Sequence, residues 1–184
     1  MAYRPCVAVV EWVLPQCLNS SSDIESHLMS EIDKSFIGAW SDPFTVDVEK
    51  GAIRKFADAI GDPHILYKDE AYAQIQGYPS VVAPPTFPTC FRPVVEPPWF
   101  ANLDRRRIVA GGISFEYERP VTAGMQLICR VQLTGVEDKS GTKGAMQLMH
   151  QETHGKDASG ELVFIFRRTT IYRSLDQVEK GSLA

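Results

Sequence analysis

The turn Gly61-Asp62-Pro63-His64 and the tyrosine that follows, Tyr67, gather a carboxylate, an imidazole and a phenol into one short stretch. A positioned acid–base pair of this kind contributes about 10²–10⁴-fold to a rate. The phenol is the weak member. Its unperturbed pKa near 10 lies far above the roughly 6.5 of imidazole, so it is a poor base at neutral pH but could act as an acid or orient water. Each residue also has a plainer reading. Asp between Gly and Pro is ordinary turn chemistry, and His64 could be a surface residue or brace the loop through a hydrogen bond.

Other chemistries fall away. His150 and His154 have a spacing that would suit zinc on a helix, but their segment reads as a strand, where about 3.3 Å per residue separates the rings by about 13 Å. No metal site is expected. Gly111-Gly112 lacks the further glycines of a dinucleotide or phosphate loop, and no Gly-x-Ser-x-Gly elbow for a serine hydrolase is present. The four cysteines, Cys6, Cys17, Cys90 and Cys129, form no Cys-x-x-Cys pair. They read as small apolar fillers in a reducing cytoplasm.

Charge narrows the partners. The 184 residues carry 19 Lys+Arg and 23 Asp+Glu, a formal net charge of −4, which argues against a nucleic-acid surface. Arg105-Arg106-Arg107 is the only basic cluster and reads as a solvated loop. No apolar run approaches the roughly 18–20 residues that span a bilayer, so no membrane partner is expected. With 44% hydrophobic and 23% charged residues, the composition is that of one globular domain. Residues 1–28 are set apart from it. Their apolar run Val7–Val10 is broken by Glu11 and Pro15, which is not a signal peptide, and they could precede a natural start at Met29. Residues 29–174 form the domain, and 175–184 a polar tail that frays.

The elements that must position the acid–base stretch follow from periodicity. Ile32 to Gly38 reads as one or two helical turns. Phe44, Val46 and Val48 alternate as a strand does. Ile53, Phe56, Ala57 and Ile60 sit at i, i+3, i+4 and i+7 on one helix face, with Gly61 as C-terminal cap. Asp69 caps a second helix, Glu70 to Gln76. The prolines of Val81-Val82-Ala83-Pro84-Pro85-Thr86-Phe87 favour a helix beginning at Pro84 or Pro85, with Pro93 ending it and an irregular connection following. Four strands come next: Ile113–Tyr117, Leu127–Leu133, Met146–His150, and a more continuously apolar Leu162–Ile171, expected to be central in its sheet. Helices ahead of a run of antiparallel strands indicate an α+β class.

Two stretches resemble one family. Phe56 to Glu70, with Gly61-Asp62-Pro63-His64-Ile65-Leu66-Tyr67, is similar to the hydratase loop of MaoC-like hot-dog enzymes, Gly-Asp-x-Asn-Pro-(Leu/Ile)-His. The strand Gly111 to Val121 with Ala123-Gly124 resembles the family's first long strand and the turn after it. Tyr67 where the family's His stands, together with Ala83-Pro84-Pro85-Thr86-Phe87, matches the fatty-acid-synthase-type subfamily more closely, the MaoC N-terminal or HadA-like dehydratase subunits. The resemblance covers about Ile32 to Arg173.

That resemblance implies a hot-dog fold, a curved antiparallel sheet around a central helix starting near Pro84. It also implies reversible addition of water to a trans-2-enoyl thioester to give an (R)-3-hydroxyacyl thioester. Asp62 matches the family's Asp, Tyr67 replaces its His, and His64 occupies the Asn position. Ala83, Thr86 and Phe87 would line the substrate, with the Thr86 and Phe87 N–H groups available to polarise the thioester carbonyl, which Pro84 and Pro85 cannot do. No cofactor is implied beyond the CoA or acyl-carrier-protein thioester that is the substrate. The expected partner is a second hot-dog subunit, in a heterodimer whose other member supplies the Asp/His pair. A self-sufficient homodimer using Asp62 with Tyr67 or His64 is the second reading, and a non-catalytic acyl-thioester binding module the third.

Overall fold

The computed structural model describes residues 32–141 and 144–173; the expectations for 1–28 and for the tail, and Cys6 and Cys17, lie outside them. Five antiparallel strands form one sheet: β1 (Phe44–Asp47), β2 (Ile108–Tyr117), β3 (Gln126–Gly141), β4 (Gly144–Lys156) and β5 (Leu162–Arg173), in the order β1-β3-β4-β5-β2. Three short α-helices, α1 (Lys50–Ala59), α2 (Glu70–Ile75) and α3 (Pro98–Ala101), all lie outside the strand run β3–β5. This is the expected α+β class, an antiparallel sheet with its helices outside the strand run. The strand expected to be central, β5, is paired on both sides, but the middle position belongs to β4.

β3 follows its sequence pattern: Leu127, Cys129, Val131 and Leu133 are buried, while Ile128 is exposed. β4 does not. The alternation of Met146, Leu148 and His150 marks its outer side, and the buried set is Gln147, Met149, Gln151 and Thr153. Polar side chains thus occupy core-facing positions, which inverts the signal that periodicity relies on.

The sheet is covered by α1 and by the chain from Val81 to Phe100. Ile53 and Ala57 of α1 are buried and Phe56 half-buried, as the spacing predicts, whereas Ile60 at the end of the stripe is 48% exposed. A long helix from Pro84 does not form. In its place a 3₁₀ helix runs Phe87–Cys90, followed by α3. Pro84, Pro85, Pro88 and Pro93 each remove a backbone donor, and together they leave no uninterrupted stretch for an α-helix. The segment fills the core with side chains instead. Phe87, Phe91 and Trp99 are buried, Phe91 packs on Phe87 with ring centroids 5.4 Å apart, and Phe91 lies 5.8 Å from Phe164 of β5.

The arginine cluster is a 3₁₀ helix, Arg105–Arg107, and is not uniformly solvated. Arg107 is buried, its guanidinium lies 4.1 Å from the Tyr172 ring centroid, and its Nε donates to the Arg173 carbonyl at 2.6 Å. Delocalised charge and a planar face let arginine stack where a lysine would not. Of the two described cysteines, Cys129 is the expected buried filler, but Cys90 is exposed.

Candidate functional site

Helix α1 ends where the acid–base stretch begins. Gly61 takes φ of 69°, which lets the chain reverse at low cost, and its amide returns to the Asp58 carbonyl at 3.1 Å. The Asp62 amide bonds the Ala57 carbonyl at 2.9 Å, which fixes the residue against the helix end. Its Oδ1 accepts the His64 N–H at 3.0 Å, the local turn bond that the Gly-Asp-Pro context predicted. The other carboxylate oxygen has no hydrogen-bond partner among the described residues.

His64 caps the next turn. Its Nδ1 accepts the Leu66 N–H at 3.2 Å, at the start of a 3₁₀ helix over Ile65–Tyr67. With Nδ1 occupied as an acceptor, the neutral ring carries its proton on Nε2. The exposed imidazole is therefore a brace with a donor edge rather than a base with a free lone pair. Its ring lies 5.3 Å from that of Tyr67.

Tyr67 is half-buried and packs against the core. Burial pushes its phenol pKa up, and the nearby Asp62 carboxylate pushes it further in the same direction. The phenol therefore holds its proton at neutral pH and, within this loop, is a donor and not a base. Lys68 pairs with Asp58, and Arg54 Nε donates to the Lys68 carbonyl at 3.1 Å, so the far side of the loop is tied back to α1. Asp69 caps α2 through the Tyr72 N–H at 2.9 Å, as expected.

The second candidate segment is held beside this loop. The Val82 amide donates to the Leu66 carbonyl at 3.0 Å, and the Ala83 amide to the Val121 carbonyl at 2.8 Å. Ala83 and Phe87 are buried, Thr86 half-buried, and the Phe87 ring meets Phe56 of α1 edge-on at 5.4 Å. The structure thus brings Asp62, Tyr67, His64 and the Ala83–Phe87 segment into one connected unit. It separates the two expected backbone donors, however. The Phe87 N–H is taken by the Pro84 carbonyl at 2.9 Å, while the Thr86 N–H has no partner among the described residues.

One contributor escaped sequence reasoning. Tyr117, near the end of β2, donates its hydroxyl to the Pro85 carbonyl at 2.5 Å, and burial raises its pKa well above the usual range for a phenol. It pins the turn that contains Thr86. Tyr117 is legible only as the end of the expected strand Ile113–Tyr117, and only the fold shows that its hydroxyl reaches back 32 residues. His150 and His154 are held apart on β4, the first at 3.0 Å from Thr169 Oγ1 and the second at 3.1 Å from Glu152 Oε2. Among the described residues no group of His, Cys, Asp or Glu could hold a metal, and no helix is long and apolar enough to cross a membrane.

Comparison with known proteins places this arrangement. Residues 35–166 match the model of the FAS1-like, dehydratase domain region. A UPF0336 protein of Thermobifida fusca is 38% identical over 118 residues, 61% of this chain and 77% of the relative. Among solved structures, a chain of the truncated HadBC (3R-hydroxyacyl-ACP dehydratase) complex from Mycobacterium tuberculosis superposes with a TM-score of 0.65 at 27% identity, over 74% of this chain and 96% of that one. A MaoC-like dehydratase gives 0.66 at 26% identity, over 77% of this chain and 43% of that one. The chain is a hot-dog protein of the MaoC-like superfamily and belongs to the FAS1-like dehydratase domain family.

Proposed function

We propose that this chain is the substrate-shaping subunit of an (R)-specific enoyl-thioester hydratase or 3-hydroxyacyl-thioester dehydratase, and that a second hot-dog subunit supplies the Asp/His pair. The observation that carries the reading is the state of the loop: Asp62 stands beside a phenol that keeps its proton, and the one imidazole nearby has its acceptor nitrogen tied to Leu66. Hydration adds a hydroxyl to C3 and a proton to C2 of the enoyl thioester, and dehydration removes both. Either direction needs a group that takes a proton from water or from C2, and this loop offers a single carboxylate without a partnering base. The chain's own contribution would be the Thr86 N–H facing the thioester oxygen as enolate charge develops, with Ala83 and Phe87 shaping the acyl pocket.

The free edge of the sheet supports a partner. β2 runs ten residues, pairs only with β5, and leaves Val109 and Ile113 exposed at 38% and 52%. A long open edge of this kind is a template for another strand. The structural neighbour HadBC, a 3R-hydroxyacyl-ACP dehydratase, is itself a complex. The carrier, CoA or acyl carrier protein, and the cytoplasmic location belong to the same proposal.

Asp62→Asn tests the division of labour. In the two-subunit reading, the assembled enzyme keeps hydration of a trans-2-enoyl-CoA within about tenfold of the parent, because the essential pair lies elsewhere. A homodimer relying on Asp62 with Tyr67 or His64 would instead be active alone and would lose about 10²-fold or more. That second outcome would replace the proposal.

A further inference from the structure

β5 carries an arginine where the core pattern calls for an apolar residue. Phe164, Phe166, Thr170 and Tyr172 face the core, and Arg168 stands in the same parity between them. One of its nitrogens, Nη2, donates to Gln151 Oε1 at 3.3 Å, and its guanidinium carbon lies 5.9 Å from the Phe166 ring centroid. Its Nε is buried with no hydrogen-bond partner. Among the described residues no carboxylate forms an ion pair with Arg168 or with Arg92.

Both arginines line one cavity of about 130 Å³, walled by Phe91, Phe100 and Phe166, with buried Gln151 and Thr153 on its β4 side. Arg105 lines it too, but is paired to Glu96 at 2.6 Å. A neighbouring cavity shares Arg92, Phe100, Arg105 and Arg168 and opens along Ile108–Ala110 of β2. Burial disfavours the charged form of Arg168, and the like charge of Arg92 adds to that. A desolvated guanidinium with an orphaned donor and a second cation beside it is strongly unfavourable unless an anion completes it.

We propose that this cavity binds an oxyanion, a carboxylate or a phosphate, carried on an apolar stem, with Arg168 and Arg92 as its charged partners. The aromatic walls suit the stem, and the planar guanidinium suits two oxygens at once. The site shares no residue with the Asp62 loop and its occupancy is read by binding rather than turnover, while the two sources of the oxyanion rest on the hydro-lyase proposal. A carboxylate would come from the acyl chain itself, a phosphate from the arm of the carrier.

Calorimetric titration of the full chain with octanoate and, separately, with pantetheine 4′-phosphate distinguishes the two sources. The ligand that binds the parent protein should bind Arg168→Gln and Arg92→Gln about tenfold more weakly or worse, as expected when a charged hydrogen-bond partner is removed. Glu96→Gln, which frees Arg105, should tighten binding. If Arg168→Gln fails to fold, the exposed Arg92 and Glu96 variants decide the matter. Binding of neither ligand, or binding that all variants leave unchanged, overturns the proposal.

Discussion

Gly155 of β4 tests how tightly the sheet is coupled to the site. It pairs with Phe164 of β5, and a Cβ built on it would fall 2.0 Å from Phe164 Cε1 and 2.5 Å from Cζ. Real carbon–carbon contacts lie near 3.5–4.0 Å, so in Gly155→Ala the ring must move by more than 1 Å. Phe164 is fully buried and touches Phe91 at 5.8 Å and Tyr117 at 6.2 Å between centroids. It has no open space to enter. Overpacking of this kind costs about 1–3 kcal/mol, which for a chain of this size lowers Tm by about 3–10 °C. The displacement also runs toward Phe91 and Tyr117, and so toward Phe87 and the Pro85 carbonyl. Differential scanning calorimetry of Gly155→Ala, Phe164→Leu and the double variant gives the coupling directly. The smaller side chain should relieve the clash, so the double variant should be more stable than the sum of the two single losses predicts, by about 0.5–3 kcal/mol. A Gly155→Ala protein with unchanged Tm, or strictly additive losses, would refute the packing argument.

Three further outcomes follow from individual residues. Asp157, in the β4–β5 turn, has its pKa pulled down to about 2, first by the Ser159 side chain and then by the Glu161 amide, Arg119 and the Ser159 amide. Its folded pKa lies below the unfolded value near 3.9, so the stability it contributes is present above that value and is lost as pH falls through about 2. Asp157→Asn should therefore flatten the acid-unfolding profile between about pH 4 and 2, and an unchanged profile would contradict the assignment. Burial raises the Cys129 thiol to about 12, whereas Cys90 is exposed. Peptide-mapped alkylation at pH 8 should modify Cys90 and leave Cys129 untouched until denaturant is added; early modification of Cys129 would count against its burial. Tyr117→Phe removes the hydroxyl that holds the Pro85 carbonyl. Water can replace it at exposed Pro85, so stability should fall by only about 0.5–1 kcal/mol. In the assembled enzyme kcat should drop further than that small change implies, because Thr86 loses its anchor, and a kcat equal to the parent's would show that the anchor is dispensable.

Local rules carried far in this chain where the neighbours were local. The α1 stripe as far as Ala57, the Gly61 reversal and the Asp69 cap are each written within one or two turns of sequence and stand as the spacing implies, while Ile60 at the end of the stripe is exposed. The same holds for the loop from Asp62 to Tyr67, whose residue types could be read from the chain. The roles inside it could not. Whether His64 offers a lone pair depends on a single backbone donor, Leu66, and only the folded turn supplies it. Polarity misled on β4, because Gln147, Gln151 and Thr153 face inward, the last two along a cavity wall. Arg107 misled for a related reason: its guanidinium lies over the ring of Tyr172 on β5, 65 residues distant in sequence. The expected central helix gave way to a 3₁₀ turn because four prolines fall in the ten residues from Pro84.

The most direct test is loss of enoyl conjugation in a short trans-2-enoyl-CoA, followed with the purified chain alone and then after mixing with a hot-dog subunit that carries the Asp/His pair. The account predicts no turnover by the chain alone and robust turnover in the mixture, with a stable complex on size-exclusion chromatography. Robust turnover by the chain alone would contradict it, and would return Asp62, His64 and Tyr67 to the centre of the chemistry.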